Sequence, residues 1–297
     1  MATVTPSTTP SGFADRSGSP TARRIMLGAR LRRLREAAEI SRAEAGFAIR
    51  SSESKISRLE LGRVSFKPRD VADLLTMYGV ADPEKREAFL EMVTRSNEPG
   101  WWHRYTDLVA DWFQDYLGLE ESACRIQEWE QQFVPGLLQI EDYARAIVRH
   151  GWYPLTSESV QRHVAVRTRR QELLSRSNPP KLWAVIDESV LHRPIGGRRV
   201  LLAQIEHLLD ITKRPHITVQ VLPYQFSGYA AEGSFTTLRF AEPDLPDVVY
   251  IEHLSGALYL DKRADTERYG RVFDRLTVDA HTPNHTRQLL MKMRAEL

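Results

Sequence analysis

"SRAEAGFAIRSSESKISRLELGR", residues 41–63, encodes two short helices and the corner between them. Its first four residues form a capping box: Ser41 is placed to accept from the third helical amide and Glu44 to reach back, so a helix runs to about Ile49. Ala45 and Gly46 keep that helix thin, which lets another helix cross it closely, as a tight helix-turn-helix corner needs. A second helix starts near Ser51 or Ser52 and stops at Gly62, a natural site for a left-handed C-terminal cap. At about 100° per residue, Ser52, Ile56, Leu59 and Glu60 fall on one side of this helix. Ser54, Ser57, Arg58 and Leu61 fall opposite, flanked by Glu53 and Lys55. A solvated helix face ordinarily carries long Lys and Glu side chains, whereas this one is short, polar and rich in serine. Short hydroxyls permit close approach to the floor of a DNA major groove, and Arg58 can present a fork to guanine O6 and N7. Glu53 either accepts from cytosine N4 or excludes phosphate, and the sequence does not choose.

The flanks complete a small helical domain. In "IMLGARLRRLREAAEI", Leu27, Leu31, Leu34 and Ala38 recur at helical spacing beneath an arginine-coated outer side. In "RDVADLLTMYGV", Val71, Leu74, Leu75 and Tyr78 close the core. The domain therefore spans about 25–80, preceded by a Ser/Thr/Pro/Gly-rich tail over 1–24 expected to be disordered. Charge follows the same division. The net charge of +2 conceals thirteen Lys/Arg against five acids over 21–69, and 27 against 33 over 70–297. A basic block of this kind gains counterion-release free energy beside a polyanion, while the acidic remainder is repelled.

Composition excludes other classes. No apolar run approaches the roughly 20 residues needed to cross a bilayer, and the amino terminus lacks a basic cluster followed by an apolar stretch, so the chain is expected in the cytoplasm with no membrane partner. A single cysteine, Cys124, excludes an internal disulfide and a Cys-based zinc site, and reads as a buried thiol.

The remaining two thirds read as a connecting helix over 81–99 and a mixed α and β domain over 100–297. The connector is started by Asp82-Pro83. In "WWHRYTDLVADWFQDYLGL", Trp102, Tyr105, Val109, Trp112, Phe113 and Tyr116 form an aromatic helical stripe, read as core with a ligand cage or partner surface as the alternative. A strand leads into a turn within 124–139, a helix covers 140–151, and another helix over 156–177 carries Arg162, Arg167, Arg169, Arg170 and Arg176 on an expected solvated face. "KLWAVID" and "ITVQVLP" are strands bracketing a crossover-length helix, which predicts a parallel pair. "SFTTLRF" and "DVVYIEHL" are further strands, and two helices end the chain. Asp187, Glu188, His192, His207, Glu252 and His253 are the residues an enzyme would recruit, but none is read as paired at ligand spacing and no hydrolase or phosphate-cradling motif is present. No catalytic residue, metal or cofactor is expected.

Residues 27–80, through the first-helix pattern, "IS" before the second helix and "SKISRLELGR", resemble the DNA-binding domain of phage-repressor and xenobiotic-response-element (XRE) helix-turn-helix regulators, an all-α fold of the lambda-repressor kind. The resemblance implies that 52–60 is the recognition helix, that Arg42 opens the helix facing the phosphates, and that Arg63 and Lys67 lie near the backbone. Ser52, Glu53, Ser54, Lys55, Ser57 and Arg58 are then the candidate DNA contacts. It also implies that Arg35 and Glu60 form a structural ion pair rather than touching DNA. The chain departs from that family's frequent glutamines at Arg42 and Glu53, and from its frequent glycine at Arg50. From about residue 100 onward, "GWW", "FVPGLLQIEDYARAI", "RTRRQELL", "VIDESVLHRPIGG", "ITVQVLPY", "GSFTTLRF" and "VVYIEHLSGALYL" resemble DUF5753, a domain of WhiJ-like and Scr1-type actinobacterial regulators. That resemblance implies a transcriptional regulator, with antitoxin-like relatives, whose second domain binds a small DUF397-type protein of the BldB kind. The alternatives for this domain are a metabolite-sensing pocket and a hydrolase. A homodimer reading a two-fold site on double-stranded DNA is the expected form.

Overall fold

Ser19 and Pro20 start the first helix, α1 (Pro20–Ala37), in the computed structural model, which describes residues 18–151, 155–226, 228 and 233–297. The Ser19 hydroxyl accepts from the Ala22 amide at 3.2 Å, and Thr21 and Ala22 are buried. The expected tail over 1–24 is thus too long at its inner end, because a serine cap followed by proline is itself a helix start. Residues 1–17 of it lie outside the described residues.

The chain divides into two units, Met1–Glu98 and Pro99–Leu297. In the first, α1 is followed by α2 (Arg42–Ala48), α3 (Glu53–Glu60), α4 (Pro68–Met77) and α5 (Pro83–Ser96). The capping box at α2 is formed: the Ser41 hydroxyl accepts from the Glu44 amide at 3.2 Å and Glu44 Oε2 accepts from the Ser41 amide at 2.8 Å. Gly46 sits where α2 meets the start of α3, and a Cβ there would lie 2.8 Å from Ser51 O, so only glycine fits this corner. Gly62 ends α3 with φ of 66°. Leu27, Leu31, Ala45, Ile56, Leu59, Phe66, Val71, Leu74 and Leu75 form the core, and Val93 of α5 joins it. The helix expected to be a connector therefore belongs to this unit. It packs against α1 and α4, and Asn97 Nδ2 donates to Phe66 O at 2.7 Å. Phe89, Met92 and Val93 lie on one face of α5 at three- and four-residue spacing, and that face closes the bundle.

The second unit is α+β. Its elements are α6 (Asp111–Ser122), β1 (Arg125–Glu130), α7 (Glu141–Arg149), α8 (Ser157–Gln171), β2 (Lys181–Asp187), α9 (Glu188–His192), α10 (Arg198–Ile211), β3 (Ile217–Leu222), β4 (Phe235–Arg239), β5 (Val248–His253), β6 (Gly256–Leu260), α11 (Arg263–Asp279) and α12 (Pro283–Glu296). They make one six-stranded sheet in the order β3-β2-β1-β4-β5-β6. The expected parallel pairing of β2 and β3 is present, and β1 extends it; β4, β5 and β6 add antiparallel strands. Trp129, Val185, Phe235 and Val249 pack with Phe273 and Leu276 of α11 on one face.

Four expectations are corrected here. The aromatic segment is not one helix: Trp101–Tyr105 is a 3-10 turn, the chain breaks, and α6 starts at Asp111. The break lets Trp102 and Val109 meet Leu117 and Val166 in one cluster and brings Asp107 to Arg162 at 2.7 Å. The arginines of α8 and the turn after it do not all lie on a solvated face: Arg169 and Arg176 are exposed as expected, whereas Arg170 is not. Arg170 is buried on Glu120, Arg162 and Arg176 pair with Asp107 and Glu121, and Arg169 pairs with Glu172. Cys124 is exposed, because its backbone joins the sheet margin through Arg239 O and the Lys181 amide while its side chain stays outside. Finally, Glu188 and His192 do meet, Oε1 to Nε2 at 3.3 Å, as an i,i+4 pair on α9.

Candidate nucleic-acid interface

The anchor of α3 is a buried three-residue ion cluster. Arg35 Nε and Nη2 donate to the two Glu60 oxygens at 2.5 and 3.2 Å, and Arg35 Nη1 donates to Ile40 O at 2.8 Å. Arg42 Nε donates to Glu60 Oε2 at 3.0 Å from the first turn of α2. The Glu60 side chain is 4% exposed, so one carboxylate ties α1, α2 and α3 together out of water. Its hydrogen bond raises the Arg35 pKa. Burial, followed by the charge of Glu60, pushes the nearby Tyr78 phenol up to about 12.

With Ile56, Leu59 and Glu60 turned inward, the other side of α3 is left outside its own unit. Glu53, Ser54 and Arg58 are exposed and Ser57 is half-buried. Among the described residues their side chains make no hydrogen bond or ion pair within the chain. Eight residues of α3 extend about 12 Å, comparable with the width of a B-DNA major groove. Arg63 and Lys67 are exposed just past the C-terminus of α3.

Three of the candidates are engaged elsewhere. Ser52 is the cap of α3, its hydroxyl accepting from the Lys55 amide at 3.2 Å, and it is exposed rather than inward-facing. Lys55 Nζ is held by Asp70 Oδ2 of α4 at 2.7 Å. Arg42 gives its Nε to Glu60 but keeps 36% of its side chain exposed. Two exposed residues at this corner were not singled out as contacts. Arg50 stands in the turn at φ of 53°, a left-handed conformation that its frequent replacement by glycine could have signalled. Phe47, 87% exposed on α2, had only its misfit to the helical period as a sign.

The second unit holds a buried polar cluster with no counterpart in local sequence spacing. Arg170 of α8 donates to Glu120 of α6 from Nε at 2.9 Å and Nη2 at 2.8 Å, and lies over the Phe113 and Tyr116 rings at 5.1 and 5.5 Å. Burial opposes the arginine's charge, but Glu120 overcomes it and holds the pKa above its ordinary value. Glu128 and Glu130, alternate residues of β1, share the sheet face beneath.

Residues 26–89 match the family described as Helix-turn-helix domain, and residues 113–292 match the family described as Domain of unknown function (DUF5753). No curated protein matches the chain, and no solved structure does. The second match alone covers more than half of the 297 residues, so this protein belongs to the DUF5753 family and carries a helix-turn-helix domain ahead of it.

Proposed function

We propose that this chain is a sequence-specific DNA-binding transcriptional regulator that reads its operator with the outward face of α3. The observation that carries this reading is the contrast across that helix: a buried Arg35–Glu60–Arg42 cluster fixes one side, while Glu53, Ser54, Ser57 and Arg58 commit no side-chain bond among the described residues. In a major groove, Arg58 forks guanine O6 and N7, and the serines allow close approach to neighbouring base edges. Arg63, Lys67 and the exposed part of Arg42 meet phosphates and set the register. Ser52 and Lys55 act one step back, through the α3 cap and the tie to Asp70. One small domain binds specific DNA weakly, so the active form is a homodimer on a two-fold site, working in the cytoplasm on the nucleoid. The second unit receives the signal. Its resemblance to WhiJ-like regulators favours a small DUF397-type protein as input, and its buried polar cluster favours a small molecule; in either case it acts by binding rather than catalysis.

The test is a genomic footprint of the tagged protein followed by competition binding on one recovered site. Arg58→Ala is expected to narrow the gap between that site and random DNA by about 1–3 kcal/mol, while affinity for random DNA changes little. Equal losses on both would move Arg58 to a phosphate contact and sink the reading role of α3.

A further inference from the structure

Two adjoining rungs of the sheet place an unusual set of side chains on the face opposite Phe273. Register puts Glu128 of β1, Thr236 of β4, Tyr250 of β5 and Tyr259 of β6 side by side. One rung along stand Glu130, Ser234 and Glu252, the last paired with Ala257. The tyrosines form a wall: Tyr116 of α6 lies 4.3 Å from Tyr250 between ring centroids, and Tyr250 lies 5.1 Å from Tyr259. The Tyr259 hydroxyl donates to Trp112 O, which ties α6 over this end of the sheet.

This face contains more acid than base. Glu120 is matched by Arg170, but Glu128, Glu130 and Glu252 make no ion pair among the described residues. Arg167 of α8, half-buried, feels the charge of Glu252, and among the described residues the two do not close a salt bridge. Among the described residues Glu128, 7% exposed, makes no hydrogen bond, and the Tyr250 hydroxyl, on a residue 5% exposed, faces the Glu252 carboxyl without closing a well-formed bond to it. A buried polar group left in this condition costs about 1–3 kcal/mol, and a buried unpaired charge costs more. Glu252 is exposed, so the cluster opens to solvent at that end.

We propose that this face of the sheet, under α6 and α8, binds a small molecule bearing a positively charged amine. Glu128, Glu130 and Glu252 surround the ammonium group, the tyrosine wall bounds the site on one side, and the Tyr250 hydroxyl takes a polar group beside it. Three unpaired carboxyls against one unpaired guanidinium favour a cation over an anion. Burial, then the charge of Glu130, pushes Glu128 up to about 8, and burial, opposed by the Ser234 hydroxyl and helped by the charge of Glu252, pushes Glu130 up to about 7. An arriving cation therefore displaces protons held by the empty site. The inference rests on the second unit's being the signal-receiving part of the regulator.

The experiment uses the full chain with n-butylamine, 1,4-diaminobutane and agmatine as probes, at matched ionic strength against sodium chloride. At least one amine at about ten times its Kd is expected to raise the melting temperature of the second unit by about 3–6 °C. Calorimetry at pH 7.5 in two buffers of different ionisation enthalpy is expected to detect proton release on binding. Glu128→Gln abolishes both effects; if that variant does not fold, the exposed Glu252→Gln replaces it and weakens amine binding at least tenfold. Arg167→Ala tightens amine binding by removing the competing charge. The proposal is overturned if no amine shifts the melt more than salt, if binding survives Glu128→Gln or Glu252→Gln, or if acetate or phosphate stabilises instead and Arg167→Ala removes that effect. Operator binding measured on the same samples separates the two readings. Absent amine binding with operator affinity intact sinks only this site, and the reverse sinks only the regulator assignment.

Discussion

Glu60 holds two arginines from two other helices while almost fully out of water. Glu60→Ala leaves Arg35 buried without its carboxylate, and removing one partner of such a pair costs about 3–5 kcal/mol. The first unit is expected to lose its thermal transition, or to melt far earlier, before any change in sequence preference can be measured; an unchanged melting curve would refute this. Arg50 tests the opposite direction. A non-glycine residue at φ of 53° bears left-handed strain, so Arg50→Gly is expected to raise stability by about 1 kcal/mol in urea unfolding. At this scale the sequence was partly legible. Ser54, Ser57 and Arg58 could be placed outside because periodicity alone decides which way a short helix faces, whereas Ser52, read as inward, is the exposed cap. The engagement of Arg42 and Lys55 could not, since Glu60 and Asp70 lie 18 and 15 residues away along the chain.

α8 shows what pattern reading misses at the scale of an element. A helix with arginines at 162, 167, 169 and 170 reads as solvated, yet Arg170 meets Glu120 fifty residues away, and the helix is buried on two sides, Val160 and Val164 in one cluster and Val166 in another. Arg170→Met strands the Glu120 carboxylate and is expected to destabilise the second unit by about 3–5 kcal/mol. Adding Glu120→Leu to that variant should recover most of the loss, which a double-mutant cycle by chemical denaturation checks; a double mutant as weak as the single would show that Glu120 has another partner. The break between the Trp101–Tyr105 turn and α6 has the same origin. Its aromatic stripe satisfied a helical period, but burying Trp102 and Val109 with Val166 required the chain to turn between them.

For the whole molecule, the basic first unit predicts DNA affinity that falls steeply with salt, with a slope of about −0.9 per phosphate contacted on a log-log plot. Arg63→Ala or Lys67→Ala should each reduce that slope by about one unit on specific and random DNA alike, as filter binding across a salt series would measure. The second unit carries a pH signature. Folded Glu128 and Glu130 titrate near 8 and 7, against about 4.3 in an unfolded chain, so the folded state holds more protons between those limits. Stability from these groups is fully present below about pH 4.3 and is lost as pH rises toward 8, by at most about 1.4 kcal/mol per pH unit for each. Urea unfolding at pH 5.5 and 8 should show that loss, and Glu128→Gln should reduce it; equal stability at the two values would contradict the burial of these carboxyls.

Local sequence by itself determined the helix-turn-helix, because a capping box, a thin second helix and a glycine stop act within a few residues and need nothing from the rest of the chain. It also determined the parallel pairing of β2 and β3, whose apolar runs flank a helix of crossover length. Tertiary structure alone decided that α5 joins the first unit, that Glu60 gathers two arginines, and that Glu128, Glu130 and Glu252 share one face with Tyr250. Each of these joins residues distant in the chain, and burial gives their charges a strength that no local pattern records.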